Sequence, residues 1–188
     1  FKGEYYQGDA DAMQLPDTRW PEGLTPEEAR EASRALAGRA LRVEVYALDG
    51  TAAAPHPYTV TDANFQLRRL QPRAELPHAV LYVHERESLA HHYERNPADP
   101  RVAHSLVLAV DAFGMATRSA SVVYPRRTPA YDEQGVLAVL LSDASFAHLT
   151  AQDDDHRVGI PLTTRGFELC GLEVPAANKP FGFAVLAD

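Results

Sequence analysis

The chain has 188 residues, enough for one compact domain or a segment of something larger and too few for several independent domains. Apolar residues make up 45% and charged residues 23%, a composition that buries a core and excludes disorder over most of the length. Lys and Arg total 18 against 26 Asp and Glu, a net charge of -8, so the overall field opposes nucleic acid and anionic membranes, and neither is expected as a partner. Lys2 and Lys179 are the only lysines; the other cations are arginines, whose planar forks favour fixed pairing with carboxylates.

The single cysteine, Cys170, excludes an internal disulfide framework and a Cys-based zinc cage. No apolar run approaches the ~20 residues of a membrane-spanning helix, so direct membrane insertion is not expected. The longest run, 136–141, reads as a buried strand. The chain opens at Phe1 with neither an initiator Met nor a charged-then-apolar leader, as expected of an excised or processed segment.

Residues 1–24 mix aromatics with Gly8, Pro16 and Pro21 without a sustained period, and are expected to form an irregular arm lying on another surface. Thr25 as N-cap, Pro26 at the first helical position and Glu28 completing a capping box start a helix; Gly38 stops it. Ala29, Ala32 and Leu36 give residues 25–37 a shallow apolar stripe.

From residue 39 the period changes to two. Leu41, Val43, Val45 and Ala47 alternate with Arg42, Glu44 and Tyr46 up to the Asp49-Gly50 turn. Further strands are predicted at 58–61, 65–70, 79–84 extending towards Tyr93, 104–110, 115–124, 136–141 and 157–162. Asp111-Ala112-Phe113-Gly114 closes the clearest hairpin, where Asp111 opens the turn and Gly114 accommodates a positive φ. The class expected is mainly β, with antiparallel sheets and one short N-terminal helix. The main sheet is expected over 39–124, a loop able to divide it over 125–135, and further strands and a tail over 136–188.

Candidate chemistry is sparse. His84, His91, His92 and His104 cluster near strands, and an unbroken strand places His84 and His92 on one face, yet no metal-binding spacing accompanies them and no metal is expected. Asp153-Asp154-Asp155-His156 lacks the spacing of a calcium loop and reads as a polar turn. Cys170 has no catalytic motif around it. Glu85-Arg86-Glu87 resembles the Glu-x-Glu element of arginine-specific ADP-ribosyltransferases, but only Thr59-Val60-Thr61 stands where such enzymes carry a Ser-Thr-Ser strand. Charged residues on a sheet edge or bulge are the alternative. No glycine-rich nucleotide loop or nucleophile elbow occurs, and no cofactor is expected. Tyr5, Tyr6 and Trp20 leave a carbohydrate- or receptor-binding β-domain as a further alternative. The most distinctive stretch, Tyr93 to Arg101, holds two prolines and four charged residues and reads as a rigid, ion-paired corner between two strands.

That corner carries a resemblance. Tyr93-Glu94-Arg95-Asn96-Pro97, Asp99-Pro100-Arg101, His104 and the Asp111-x-Phe113-Gly114 hairpin occur in order with several upstream and downstream matches. These are Leu15-Pro16-Asp17, the run from Leu24 to Ala32, Glu44 to Gly50, Leu70-Gln71-Pro72 and Tyr124 to Arg127. Together they resemble the middle-to-C-terminal region of the B component of bacterial insecticidal toxin complexes, over most of residues 1–175; the similarity fades after Leu169. The resemblance implies a noncatalytic segment of a secreted bacterial toxin, part of an Rhs-type β-shell that encloses the cytotoxic C-terminal fragment of a partner C component. The implied partners are the rest of the parent B protein, the Rhs-type C component and, through the parent, the translocation pore of an A component. No catalytic residue carries over; the residues expected to matter are architectural, Arg95, Asp99 and Arg101 at the corner and Asp111 and Gly114 in the hairpin.

Overall fold

The computed structural model describes residues 2–152, 155–176 and 178–187. Among them, β1 (Arg42–Val45), β2 (Thr59–Gln71), β3 (Val80–His92), β4 (Arg101–Val110), β5 (Ala116–Val123), β6 (Ala138–Gln152) and β7 (Asp155–Glu168) form one sheet in sequential order. Every neighbouring pair is antiparallel. The mainly β, antiparallel class predicted from the period-two runs is therefore the one adopted. Helix α1 (Pro26–Ala35) falls within the expected 25–37 span, and a short second helix, α2 (Phe183–Ala187), lies in the tail.

The N-terminus of α1 follows from its sequence. Glu28 N–H donates to Thr25 Oγ1 at 3.2 Å and Thr25 N–H donates to Glu28 Oε2 at 3.0 Å, closing the capping box, a device worth about 1 kcal/mol. The same buried carboxylate accepts from Arg69 Nη1 at 2.8 Å and from Arg73 N at 2.9 Å, so the cap also docks the helix on the end of β2.

Two runs expected as separate strands, 58–61 and 65–70, belong to one continuous β2. The polar residues between them stay in the strand because the sheet supplies partners. Arg42 Nη1 donates to both Asp62 oxygens at 3.0 Å, and Asn64 Nδ2 donates to Pro16 O at 2.9 Å and to Glu87 Oε1 at 3.2 Å. The loop at 125–135 does not divide the sheet: β5 and β6 pair from Arg118↔Asp143 to Val123↔Ala138. Nor is 136–141 a uniformly buried strand. Val139 is fully buried whereas Val136 and Leu140 are 61% and 57% exposed, since only one face of β6 is packed.

A bulge in β3 sets the geometry of the centre. Glu85 pairs with Phe65 and Glu87 with Asn64, so two adjacent β2 residues face three on β3 and Arg86 is the extra one. Consecutive strand residues point to opposite faces, and the extra residue of a bulge breaks that alternation once. Glu85 therefore lies on one face and Glu87 on the other, while His84 and Arg86 share the face of Glu87, Leu89 and His91. That face carries the main core of Leu89, Val102, Leu106, Val122, Tyr124 and Val139, sealed by Phe181 and Leu186 from the tail and flanked by Met13 and Leu15 from the arm. On the opposite face Phe65 and Leu67 are buried near α1, and the Arg39 guanidinium lies 5.4 Å from the Phe65 ring centroid.

The N-terminal arm lies on this sheet. Beyond Arg42, the first residue of β1, the arm takes its place beside β2: Arg19 N–H donates to Phe65 O at 2.8 Å, and Leu67 N–H donates to Arg19 O at 2.9 Å.

Candidate functional site

The corner between β3 and β4 turns through two residues of positive φ, Glu94 and Arg95. This geometry aims the Arg95 guanidinium at the loop after β1, where Nη1 and Nη2 donate to Asp49 at 2.7 and 3.1 Å, Nη2 to Thr51 Oγ1 at 2.6 Å and Nε to Ala53 O at 3.2 Å. Arg95 and the Thr51 donors together hold the Asp49 carboxyl down at about 2. Asp99 binds in another direction. It accepts from Arg126 Nη2 at 2.6 Å and Nε at 3.1 Å, and from the backbone N–H groups of Arg127 at 2.9 Å and Thr128 at 3.2 Å. Arg101 pairs with Glu94 at 3.0 Å with both side chains more than half exposed, a class of contact that contributes little to stability. The corner thus fastens the loop before it and the loop after β5. Sequence spacing pointed to Arg95 and Asp99 but not to Asp49 or Arg126, which stand 46 and 27 residues away.

In the hairpin, Asp111 Oδ1 accepts from Phe113 N at 2.8 Å and from Met115 N at 2.9 Å, while Gly114 has φ +85. Asp111 Oδ2 lies 2.8 Å from His148 Nε2, and Gly159 N–H donates to His148 Nδ1 at 3.1 Å. Because Nδ1 accepts, Nε2 carries the proton donated to Asp111. One imidazole therefore clips the β4–β5 hairpin to β6 and β7, and Phe113 stacks on it with centroids 4.1 Å apart.

The paired carboxylates Glu85 and Glu87 do not converge. Glu85 is exposed, whereas Glu87 is buried on the other face among Arg86 Nη1, Asn64 Nδ2 and His104 Nε2, the last 3.3 Å away. The bulge at Arg86 thus prevents the two from acting on one substrate. It also corrects the histidine reading, since His84 shares its face with His91 and not with His92. His91 is 1% exposed, both its ring nitrogens lack a hydrogen-bond partner, and its ring stacks on Tyr93. Burial, reinforced by the Arg127 and Arg42 cations and opposed by Asp9, lowers its pKa to about 4. Among the described residues no three His, Cys, Asp or Glu side chains come together to hold a metal ion.

The aromatic trio is dispersed. The Tyr6 backbone N–H donates to Glu44 and its hydroxyl lies 3.0 Å from His56 Nδ1, Tyr5 packs under Arg42, and Trp20 follows Arg19 at Gln66. Glu44 pairs with Val60, six residues along β2 from Gln66, about 20 Å of strand and too far to grip one sugar ring. Cys170 is exposed and free. Asp153 and Asp154 of the predicted polar turn lie outside the described residues.

Among the described residues, cavities opening on the sheet include a larger and a smaller one. The larger, about 570 Å³, follows rows of small side chains, Ser105↔Ser121 and Ser119↔Ser142, between Glu85 and Glu168. The smaller, about 290 Å³, lies beside the bulge and is lined by Arg19, Gln66, Arg68, His84, Arg86, residues 107–110 and Phe183.

Fold and contacts define a sheet-building segment in which the conspicuous polar residues join loops and strands. The family model for the insecticide toxin TcdB middle/C-terminal region matches residues 31–164, and the chain belongs to this family. The crystal structure of TcdB2-TccC3 matches all of the chain at 33% identity with a TM-score of 0.82. TcdB2-TccC3-Cdc42 gives 33% and 0.80, and a Photorhabdus luminescens Tc holotoxin pore carrying a TccC3 mutation gives 32% and 0.81. The chain spans 10% of the length of each of these chains. No curated protein matches it. The resemblance carried by the corner and hairpin motifs is thus a family relationship, and the structural match extends through the tail beyond Leu169.

Proposed function

We propose that this chain is a noncatalytic wall segment of a secreted insecticidal toxin-complex B component, helping to enclose the cytotoxic C-terminal fragment of a partner C component. The observation that carries the reading is the match of the whole chain, at a TM-score of 0.82, to one tenth of a TcdB2 chain crystallised with TccC3. The open edges agree with it: β7 offers fourteen residues of unpaired strand edge, with Val158, Leu162 and Phe167 exposed along it, and such edges pair with further strands. In this reading the C component and the rest of the B protein are direct neighbours, and the A-component pore is reached through the parent. Arg95, Asp99, Arg101, Asp111 and Gly114 then serve architecture, holding loop positions so that successive strands keep their register.

Hydrogen exchange tests this. Amides of Arg42–Val45 and Asp155–Glu168 exchange more slowly in the assembled B–C complex than in the separate chain if these edges continue into neighbouring strands. Equal rates in both states refute the wall reading and leave an autonomous domain.

A further inference from the structure

The smaller cavity has an origin and a charge that the wall reading does not explain. Strands β3 and β4 pair only as far as Glu87↔Leu106. Beyond the bulge at Arg86 they separate, and the gap becomes the cavity of about 290 Å³. On its β2 wall, Arg19 bridges Gln66, the cross-strand partner of His84, and Arg68 lies two residues further along the same face. Residues 107–110 of β4 and Phe183 complete the lining.

Most arginines of this acidic protein are paired with a carboxylate; Arg42, Arg69, Arg95, Arg118, Arg126 and Arg127 each have one within 3.0 Å. Arg19 and Arg68, both exposed at the cavity, are among the arginines that make no ion pair or side-chain hydrogen bond within the described residues. Arg86, beside them, is buried, paired with Glu87 and stacked over the Phe183 ring, 3.8 Å from its centroid. His84 Nδ1 is buried in the same wall without a hydrogen-bond partner. Desolvation, followed by the cations Arg68, Arg39 and Arg86, keeps His84 below its ordinary pKa. The cavity thus concentrates uncompensated positive charge and unfilled donors in a chain whose net charge is -8.

We infer that the gap between β3 and β4 is an oxyanion-binding site for a divalent tetrahedral group of the phosphate or sulfate class, held by Arg19 and Arg68 with His84. Two unpaired guanidiniums match a dianion better than a single carboxylate. Forked N–H donors bind tetrahedral oxyanions in bidentate fashion, and each bond is charge-assisted. A protonated His84 supplies a further donor, so binding draws a proton onto Nδ1 or Nε2. The assignment is independent of the wall reading.

The test is an NMR titration of the protein with sodium sulfate at constant ionic strength. Sulfate keeps its double charge from pH 8 to pH 5, so any pH dependence comes from the protein. The expected result is a saturable shift of the His84 ring signals, with affinity rising about tenfold between pH 7.5 and pH 5.5. Arg19→Gln with Arg68→Gln, a change at two exposed positions that removes no side-chain hydrogen bond or ion pair, weakens binding at least tenfold with the fold intact by its amide spectrum. Inorganic phosphate competes for the same site. The inference is overturned by the absence of saturation at 20 mM sulfate or by unaltered affinity in the double variant. It is equally overturned by a Glu-rich peptide that displaces sulfate at lower concentration than phosphate does, which assigns the cavity to carboxylates of a protein partner.

Discussion

Acid acts on this fold through His91. The ring lies fully inside the sheet face, with its two nitrogens unpartnered, against Tyr93 and close to the charges of Asp9 on the arm, Arg42 on β1 and Arg127 after β5. Its pKa falls from an ordinary 6.5 to about 4. The unfolded chain therefore takes up the proton first. Stability carried by the neutral ring is complete above about pH 6.5 and is lost as the pH falls to about 4. A difference of roughly 2.5 units at 1.36 kcal/mol per unit gives about 3 kcal/mol, or a fall in melting temperature of roughly 6 to 12 °C for a domain of this size. His91→Phe keeps the ring and its stacking on Tyr93 and removes both orphan nitrogens, so it is neutral or stabilising at pH 7. Urea unfolding of the two proteins at pH 7.5, 6, 5 and 4 isolates the effect, because every other titrating group is common to both. The variant is expected to gain about 3 kcal/mol on the natural protein between pH 7.5 and pH 4. Parallel stability curves refute the reasoning and mean that His91 meets water or a partner when protonated.

Further predictions concern the hairpin, the corner and the tail. At Gly114, φ is +85 and a Cβ meets the Tyr82 hydroxyl and ring at 2.6 to 2.8 Å, so Gly114→Val costs about 2 to 3 kcal/mol in thermal melts; an unchanged melting temperature contradicts the turn geometry. Asp99→Asn weakens the Arg126 pair and keeps the shape, lowering stability by about 1 to 2 kcal/mol and exposing the segment from Arg126 to Gln134 to limited proteolysis, which is read by mass spectrometry. Leu186 is 4% exposed against the core, and Leu186→Ala removes about 2 to 4 kcal/mol; a loss under 0.5 kcal/mol means the tail does not seal the core.

The capping box of α1, the strand series and the Asp111 turn were legible because each depends on neighbours within a few residues. Thr25 and Glu28 are three apart and make reciprocal bonds; Asp111 binds amides two and four residues on. Motif order at the corner was enough to reveal the family. The partners of Arg95 and Asp99 were not legible, because Asp49 and Arg126 approach only after the loops around β1 and β5 fold back. Nor was the inward face of β1 obvious. Its apolar residues Val43 and Val45 stay about half exposed, and its polar Arg42 and Glu44 turn inward to Asp62 and Tyr6.

Local chemistry in the sequence thus determined the antiparallel class, the position of the helix and the tightest turn, since backbone preference and short-range hydrogen bonds act between near neighbours. Tertiary structure alone decided which residues share a face. One extra residue at Arg86 reverses the alternation of β3, separates Glu85 from Glu87, joins His84 to His91 and opens the charged gap beside β4. A strand's side chains alternate strictly, so a single bulge reassigns every residue beyond it, and its location depends on pairing with a neighbouring strand.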